Sequence, residues 1–212
     1  MNVDLLIHSA AQLVTCASPG GPKRGAAMRE LGIIPDGAVA IADSRIVAAG
    51  PSAELRASYD AAYEIDASGK VVCPGFVDPH THVVFAGDRV AEFEQRIAGA
   101  SYLEIMAAGG GMAFTTRASR AATGEHLMNK NRPRLAAMLA HGTTTAEAKS
   151  GYGLDTASEL RLLEACAQLD QQQPLELVPT FMGAHALPPE YRGRVDDYVD
   201  LVVSEMTPAA AA

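Results

Sequence analysis

The order of apolar and polar residues divides the chain near residue 70. Before this point, short runs of alternating apolar and polar residues are typical of β-strands. The predicted strands cover residues 4–15, 38–41, 45–48 and 63–66. Asp43 and Ser44 form the turn of a predicted hairpin, and Ser52 is the predicted N-cap of a short helix over residues 52–59. Residues 1–70 are therefore predicted to form a small β domain.

From residue 71 onward, strands alternate with longer helical patterns, as is typical of βα units around a parallel sheet. The first predicted strand ends at His82, and the next two cover residues 143–149 and 175–182. A short helix is predicted to end before Gly109. Three longer helices are predicted over residues 124–141, 156–170 and 194–206. This second region therefore contains three βα units.

Local signals add detail to these helices. Ser101 with Glu104, and Thr156 with Glu159, have the spacing of a capping box at a helix start. Pro133 is expected to end or kink the long helix, because proline donates no main-chain hydrogen bond. The residues expected to share one face of the helix after Thr156 are Leu160, Leu163 and Ala167.

Two histidines stand at the end of the first strand of the second region. The residues that lead to them favour a buried strand: Val71, Val72, Phe76 and Val77. Because side chains alternate between the two faces of a strand, His80 and His82 are predicted to point the same way. Their imidazoles can then reach one divalent ion. The alternative is a pair of histidines that touch only water or the main chain.

Composition and charge narrow the class of protein. Apolar residues make up 48% of the chain and charged residues 20%, which suits a soluble protein with a packed core. The net charge of −8 argues against nucleic acid or an anionic membrane as the main partner. Cys16, Cys73 and Cys166 are far apart and are interpreted as reduced thiols. With no signal peptide and no membrane-length apolar run, the protein is predicted to be cytoplasmic.

The residues around the two histidines resemble a known family. Residues 74–82, Pro-Gly-Phe-Val-Asp-Pro-His-Thr-His, resemble the first metal-binding strand of the amidohydrolase superfamily. Residues 83–89, Val-Val-Phe-Ala-Gly-Asp-Arg, are more narrowly similar to the imidazolonepropionase family, which acts in histidine degradation. Further similar segments are residues 109–111 (Gly-Gly-Gly), 142–145 (Gly-Thr-Thr-Thr), 149–154 (Lys-Ser-Gly-Tyr-Gly-Leu) and 183–186 (Gly-Ala-His-Ala).

The resemblance implies an α/β fold with two domains. Residues 1–70 would contribute to a small β-sandwich domain, and residues 71–212 would begin a metal-dependent-hydrolase (β/α)8 TIM barrel. A closed barrel of this kind needs eight βα units, and the pattern predicts the first three. The chain is therefore expected to correspond to the N-terminal half of a family member.

The resemblance also implies a reaction and its site. His80 and His82 would bind one zinc or iron ion, divalent or trivalent, that activates water for attack on a ring carbonyl. The substrate would be the small molecule 4-imidazolone-5-propanoate, and the product N-formimidoyl-L-glutamate. The family's other metal ligands come from later strands, and His8, His126 and His141 lie where they cannot replace them.

Three further residues match substrate contacts of the family. Arg89 matches the contact to the propanoate group, and a guanidinium suits a carboxylate because it can donate two parallel hydrogen bonds. Tyr152 would hydrogen-bond the substrate, and His185 would contact it as a catalytic histidine able to move a proton near neutral pH. The alternatives are a surface salt bridge for Arg89, a packed rim residue for Tyr152 and an ordered-loop histidine for His185.

Other expectations concern pairing, assembly and activity. Lys149 is predicted to pair with Glu147 on the same strand face rather than to bridge metals. The resemblance allows a homodimer of the full-length protein. The chain could instead belong to another cyclic-amide or amidine hydrolase, or a deaminase, of the superfamily, or be a catalytically incomplete fragment. Expressed alone, it is expected to lack turnover, because a catalytic zinc usually takes three protein ligands.

Overall fold

The computed structural model describes residues 1–18 and 20–212. Pro19, which the sequence places in a loop after the first strand, lies outside the described residues. The chain forms two compact units, Met1–Pro74 and Gly75–Ala212. None of the helices in the described ranges combines the length and the apolar character needed to cross a lipid bilayer.

The described residues of the first unit form a single five-stranded sheet with one α-helix. The elements are β1 (Asn2–Val14), β2 (Ile33–Ala42), β3 (Arg45–Pro51), α1 (Ser52–Ser58), β4 (Asp60–Asp66) and β5 (Val71–Val72), with a 3-10 turn at Gly25–Arg29. The strand order is β3-β2-β1-β4, and β5 pairs with β1. β2 is antiparallel to β1 and β3, whereas β4 and β5 run parallel to β1.

The core of this unit lies on one face of the sheet. Leu6 of β1 and Ala40 of β2 are directly paired and fully buried, and Leu55 of α1 packs with them. The predicted hairpin is confirmed, because Asp43 and Ser44 link β2 and β3 with φ values of 50° and 58°. Two such residues in the left-handed region give the turn whose twist matches paired strands.

The predicted N-cap of α1 is wrong. Pro51 occupies the cap position and makes no side-chain cap hydrogen bond. Ser52 is instead buried, where its hydroxyl donates to the Gly37 carbonyl at 3.0 Å and accepts from the Ser9 N–H at 2.8 Å. The hydroxyl therefore ties α1 to β1 and β2, a long-range role that competes with local capping.

The second unit alternates strands and helices. Its elements are β6 (Phe76–Thr81), α2 (Val90–Ile97), α3 (Tyr102–Ala107), α4 (Met112–Ala121), α5 (Gly124–Ala140), β7 (Thr143–Lys149), α6 (Thr156–Asp170), β8 (Glu176–Thr180), α7 (Val195–Leu201), a π-helical turn (Val202–Met206) and α8 (Thr207–Ala211), with a 3-10 turn at Pro189–Tyr191. The three strands form a parallel sheet in the order β6-β7-β8. Their carboxyl ends therefore meet at one edge, which is called the carboxyl edge below.

The core of the second unit lies between this sheet and the helices α5 and α6. Leu127 and Leu135 of α5 are fully buried, as predicted. The predicted face of α6 is wrong: Leu160 and Leu163 are only partly buried and Ala167 is exposed. The residues of α6 that are buried instead are Ser158, Glu159, Leu162, Ala165, Cys166 and Leu169. The buried face of α6 therefore begins with Glu159, whose side chain turns inward.

One predicted capping box forms and the other does not. Ser101 and Glu104 cap α3 reciprocally, as predicted, with the Ser101 N–H donating to the Glu104 carboxylate at 2.8 Å. At the start of α6 the N-cap is Asp155, whose carboxylate accepts from the Ser158 N–H at 2.8 Å. Glu159 is wrongly predicted as a capping partner, because its carboxylate binds main-chain N–H groups of the loop after β7.

Pro133 lies inside α5, which continues past it, so the helix does not end there, and the kink stays a prediction. Two further expectations need correction. The strand β6 and the segment before it are not buried, since Val71, Phe76 and Val77 are exposed by 58%, 61% and 65%. Both faces of a parallel strand are usually covered, and no described element covers these side chains. The helices α2 and α4 are absent from the sequence prediction.

Candidate active site

Side chains from all three parallel strands of the second unit meet at the carboxyl edge. His80 and His82 lie at the end of β6, Tyr152 lies in the loop after β7, and His185 follows β8. The hydroxyl of Thr81 donates to the Glu147 carbonyl of β7 at 2.6 Å and so fixes the end of β6 against its neighbour. The parallel topology therefore brings together residues that are more than a hundred positions apart.

The rings of His80 and His82 lie 6.0 Å apart, centre to centre, with their planes inclined by 63°. Two imidazoles that bind one zinc ion through nitrogens about 2.0–2.1 Å from it place their ring centres roughly 5–6 Å apart. The spacing fits a shared ion. No three His, Cys, Asp or Glu side chains within residues 1–18 and 20–212 lie close enough to hold a metal together. The two histidines therefore fit as part of a ligand set.

His82 has a defined tautomer. Its Nδ1 lies 2.8 Å from the carbonyl oxygen of Ser150, and because a carbonyl can only accept, Nδ1 carries the proton. Burial is the first cause that lowers the pKa of His82 below its ordinary value, and the neighbouring His185 lowers it further. A neutral imidazole with a protonated Nδ1 leaves the lone pair on Nε2, which is the form that binds a metal.

His185 shows the same arrangement. Its Nδ1 donates to the carbonyl oxygen of Gly151 at 3.0 Å, so that Nε2 again carries the lone pair. Its ring stacks on that of His82, with centres 4.5 Å apart and planes only 13° from parallel. Gly151 has φ +97°, and a Cβ there would lie 2.7 Å from the Cβ of His185. A glycine is thus required for the close approach of loop and histidine.

Tyr152 completes an aromatic cluster with the two histidines. Its ring centre lies 4.9 Å from that of His82 and 5.5 Å from that of His185. The ring of Phe85 is 6.0 Å from Tyr152, at an edge-to-face angle of 64°. Tyr152 therefore packs as a rim residue, and it also stands between the histidines and the cavity described next.

Arg89 follows β6 and lies at the start of α2. Its Nε and Nη2 donate to the hydroxyl of Thr115 on α4, at 3.1 and 3.0 Å. In the part of the chain that the structure describes, no carboxylate lies within 4.0 Å of its guanidinium, so the salt-bridge alternative is not found. The exposed guanidinium is held by a single neutral acceptor.

A cavity of about 340 Å³ links Arg89 to the aromatic cluster. It is lined by Phe85, Asp88, Arg89, Thr115, Arg134 and Tyr152. The guanidinium of Arg134 lies 3.7 Å from the centre of the Phe85 ring and donates to the Phe85 carbonyl at 2.9 Å. Arg134 is therefore engaged with the protein, which leaves Arg89 as the guanidinium better placed to meet an acidic ligand.

The predicted pairing of Lys149 with Glu147 is confirmed, at a distance of 2.6 Å. Hydrogen bonds from Lys149 and then from Thr180, which is 2.8 Å away, hold the pKa of Glu147 below its ordinary value. Lys149 thus stays with its own strand. The sequence did not predict that the carbonyl groups of Ser150 and Gly151 accept hydrogen bonds from the histidines, because every residue type has a main-chain carbonyl.

The fold resembles that of a solved structure. A triazine hydrolase from Arthrobacter aurescens, modified for expression in E. coli, superposes with a TM-score of 0.50 at 19% identity, over 94% of this chain and 41% of that one. This likeness concerns the fold alone. The chain shares the α/β fold of that hydrolase over the aligned residues.

Sequence comparison finds relatives of much higher identity. A model described as the imidazolonepropionase-like composite domain of bacteria matches residues 37–62. The imidazolonepropionase of Chloroflexus aggregans is 64% identical over 207 residues, which is 98% of this chain and 48% of that protein. That of Herpetosiphon aurantiacus is 55% identical over 211 residues, covering 100% and 49%. The chain is similar to these imidazolonepropionases over nearly its whole length. It spans about half the length of the curated relatives it matches.

Proposed function

We propose that this chain supplies the carboxyl-edge site of an imidazolonepropionase, which hydrolyses 4-imidazolone-5-propanoate to N-formimidoyl-L-glutamate. The observation that carries the proposal is the cluster of His82, His185 and Tyr152, which borders the cavity reached by Arg89. The similar proteins suggest the substrate, because they carry the name of this enzyme. In the reaction, water adds to the ring carbonyl carbon, the amide C–N bond breaks and the ring nitrogen takes a proton.

His80 and His82 are the residues of this chain that would hold the metal, zinc or iron. When bound, such an ion supplies Lewis-acid polarisation and a water of lowered pKa. The chain's own contribution is to present His82 neutral, with its Nδ1 proton fixed on the Ser150 carbonyl and its Nε2 available. A hydrogen bond of this kind to a ligating histidine sets ring orientation and raises ligand basicity.

Arg89 would bind the propanoate group of the substrate. Its guanidinium now donates only to the Thr115 hydroxyl, and a carboxylate is a stronger, two-pronged acceptor. The cavity between Arg89 and Tyr152 provides room for the short propanoate arm. A substrate held there would direct its ring towards the histidines beside Tyr152.

His185 and Tyr152 would act on the ring. His185 has its Nδ1 proton on the Gly151 carbonyl, so that Nε2 can accept or, once protonated, return a proton at the reacting amide. The Tyr152 hydroxyl would donate to a polar atom of the ring. Both residues lie beside His82, which keeps binding and proton transfer close to the metal ligands.

Several broader features belong to the same proposal. The sheet β6-β7-β8 would be part of a (β/α)8 barrel, and the five-stranded sheet of the first unit would be part of a sandwich. The complete enzyme would be cytoplasmic, would act on a small molecule rather than on nucleic acid or a membrane, and would form a homodimer.

The proposal can be tested with a fused protein. Residues 1–212 would be joined to the part of the Chloroflexus aggregans imidazolonepropionase that they do not match, and loss of imidazolone absorbance would be followed with zinc or iron supplied. Turnover is expected in the fusion, none above background in residues 1–212 alone, and none in the fusion with His82→Ala. His141→Ala is the matched control, because this exposed histidine precedes β7 at the opposite edge of the sheet.

Two outcomes would contradict the proposal. One is a folded, metal-loaded fusion that leaves the imidazolone intact but hydrolyses another cyclic amide or deaminates a ring amine. The other is turnover by residues 1–212 alone that survives His80→Ala and His82→Ala, since the site would then lie elsewhere.

A further inference from the structure

We propose that Glu159 is a positioning residue that holds both site histidines in the tautomer with a protonated Nδ1. It acts through the loop after β7, residues 150–155, and touches neither imidazole. The consequence for catalysis rests on the function proposed above, whereas the tautomer control is a property of the chain itself.

The Glu159 carboxylate is buried and binds only main chain in this loop. The residue is 1% exposed. Its Oε2 accepts from the Gly151 N–H at 2.8 Å, and its Oε1 accepts from the N–H groups of Gly153 and Leu154, both at 2.7 Å. No Lys, Arg or His nitrogen among the described residues lies within 4.0 Å of this carboxylate. The negative charge is therefore balanced by amide dipoles of the loop.

A single peptide unit connects Glu159 to His82. The carbonyl of Ser150 and the N–H of Gly151 belong to the same planar trans peptide, so they point in opposite directions. Because the N–H points at Glu159, the carbonyl is directed away from it, and that carbonyl accepts the Nδ1 proton of His82. Rotation of this peptide would remove the acceptor from His82.

The next carbonyl serves His185 in the same way. The Gly151 carbonyl accepts its Nδ1 proton at 3.0 Å, and the conformation of Gly151 is fixed by the hydrogen bond from its own N–H to Glu159. Further along, Leu154 has φ +56°, a conformation that is costly for a residue with a side chain. The loop is thus held in a shape that the isolated segment would not favour.

The cost of burying this carboxylate argues for a role beyond packing. A charge removed from water is unfavourable unless hydrogen bonds satisfy it, and here three main-chain N–H groups of one loop satisfy it. Gly153 shows how closely the loop and α6 meet, because a Cβ there would lie 2.5 Å from the Glu159 main-chain nitrogen. The loop and α6 thus pack closely around the Glu159 carboxylate. The result is that the carbonyl groups of Ser150 and Gly151 are held in place beside His82 and His185.

The test is a direct measurement of histidine tautomers in the metal-free chain of residues 1–212. Long-range ¹H–¹⁵N NMR spectra of ¹⁵N-histidine-labelled protein would be recorded above the titration range of the imidazoles. In the unsubstituted chain, His82 and His185 are expected to carry the proton on Nδ1. In Glu159→Gln an NH₂ group replaces one of the two carboxylate oxygens, so at least one main-chain N–H of the loop faces another donor and loses its acceptor. His82 and His185 are then expected to lose the pure Nδ1–H pattern and show mixed tautomers.

Two controls separate positioning from general destabilisation. Leu162→Ala creates a cavity on the same buried face of α6 and lowers stability without removing a hydrogen bond from the loop, so its histidines should keep the Nδ1–H pattern. Glu164→Gln changes the same residue type at an exposed position of α6 and should alter nothing. Glu159→Asp keeps the carboxylate but shortens its reach, and an intermediate tautomer mixture is expected.

The proposal is overturned if the unsubstituted chain shows Nε2–H at either histidine, a result that requires no variant. It is also overturned if Glu159→Gln keeps both tautomers, or if Leu162→Ala loses them to the same extent. None of these readouts depends on turnover. Failure of the fused protein to hydrolyse the imidazolone would therefore leave the result on Glu159 unchanged.

Discussion

The loops after β6 and β7 meet at the same edge of the sheet but are held differently, because a buried carboxylate binds N–H groups of the second loop. In the loop after β6, Asn131 and Arg134 of α5 donate to the carbonyl of Phe85, at 3.2 and 2.9 Å, and Arg134 donates to that of Gly87 at 3.2 Å. In the loop after β7, the Glu159 carboxylate accepts three main-chain N–H groups. Arg120 of α4 also donates to the Gly153 and Leu154 carbonyls of this loop, at 2.6 and 3.1 Å, and the Ser119 hydroxyl accepts from the Ala86 N–H of the other loop at 3.2 Å. What distinguishes the loop after β7 is that a buried carboxylate binds three of its N–H groups.

This difference matches what each loop carries. An N–H group without a partner is rarer in buried structure than a carbonyl with one lone pair unused, so the loop held through its N–H groups has less freedom to shift. That loop orients His82 and His185, whose use depends on which nitrogen bears the proton. The loop after β6 carries Arg89, which is exposed and must only reach a carboxylate. The stiffer attachment therefore serves the groups that need exact orientation.

The comparison predicts that Glu159→Ala is the most damaging single change at this edge. It leaves three buried N–H groups without their charged acceptor, and the free energy of unfolding of the second unit should fall by about 3–5 kcal/mol. The slow labelling of the buried Cys166 thiol in urea measures this unit separately, because Cys16 and Cys73 are exposed and react at once. The matched control is Glu164→Ala on the exposed face of α6, and an equal loss there would contradict the prediction.

Arg89→Lys tests the other loop. A lysine keeps the charge but loses the paired donors, so KM of the fused protein for the imidazolone should rise about 10- to 100-fold. The metal content measured after purification should stay the same, because Arg89 does not contact His80 or His82. An unchanged KM with loss of metal would show that Arg89 supports the site instead. Arg117→Lys, an exposed change on α4, is the control for the loss of a guanidinium as such.

Local patterns were sufficient for the parts of the fold that local interactions determine. The bounds of β7, residues 143–149, and the hairpin turn at Asp43 and Ser44 were predicted from β-branched residues and turn chemistry. The proximity of His80 and His82 also followed from strand geometry, although their metal binding stays a prediction.

The errors have a shared physical cause, which is competition from distant partners. Thr156 and Glu159 have the spacing of a capping box, but three N–H groups of the preceding loop bind the carboxylate instead. Ser52 likewise gives its hydroxyl to Gly37 and Ser9 rather than to its own helix. In each case a long-range hydrogen bond to the main chain replaced a local one, and sequence spacing does not contain that information.

The helices α2 and α4 were missed in the sequence prediction for different reasons. The helix α2, Val90–Ile97, has no buried residue. Its apolar residues therefore do not follow the spacing of a helix that packs one face against a core. α4, Met112–Ala121, begins directly after a run of glycines, and the chain enters it through Gly111 at φ +65°. Such a run is more typical of a loop than of a helix start. Three polar residues of α4 are buried, which also weakens the apolar pattern: Thr115, Thr116 and Ser119.

Arg134→Met sharpens the comparison of donors and acceptors. It removes the guanidinium from two carbonyl groups, but Asn131 still donates to that of Phe85, so one acceptor keeps a partner. The free energy of unfolding should fall by about 1–2 kcal/mol, less than for Glu159→Ala. Cys166 labelling in urea again provides the measurement. Lys130→Met on the exposed face of α5 is the control, and a loss as large as that of Glu159→Ala would remove the distinction between the two loops.

The smallest predicted effect separates two neighbouring threonines of α4. Thr115 and Thr116 are both buried, but among the described residues only the Thr115 hydroxyl, of these two, has a hydrogen-bond partner, the guanidinium of Arg89. Thr115→Val keeps the shape and removes the acceptor, so Arg89 loses its resting position and KM of the fused protein should change about two- to tenfold. Thr116→Val removes a hydroxyl that has no hydrogen-bond partner among the described residues, so it should leave KM unchanged and stability equal or higher. Equal changes in KM for both variants would show that α4 acts through packing, and the attachment of Arg89 through Thr115 would then be irrelevant to substrate binding.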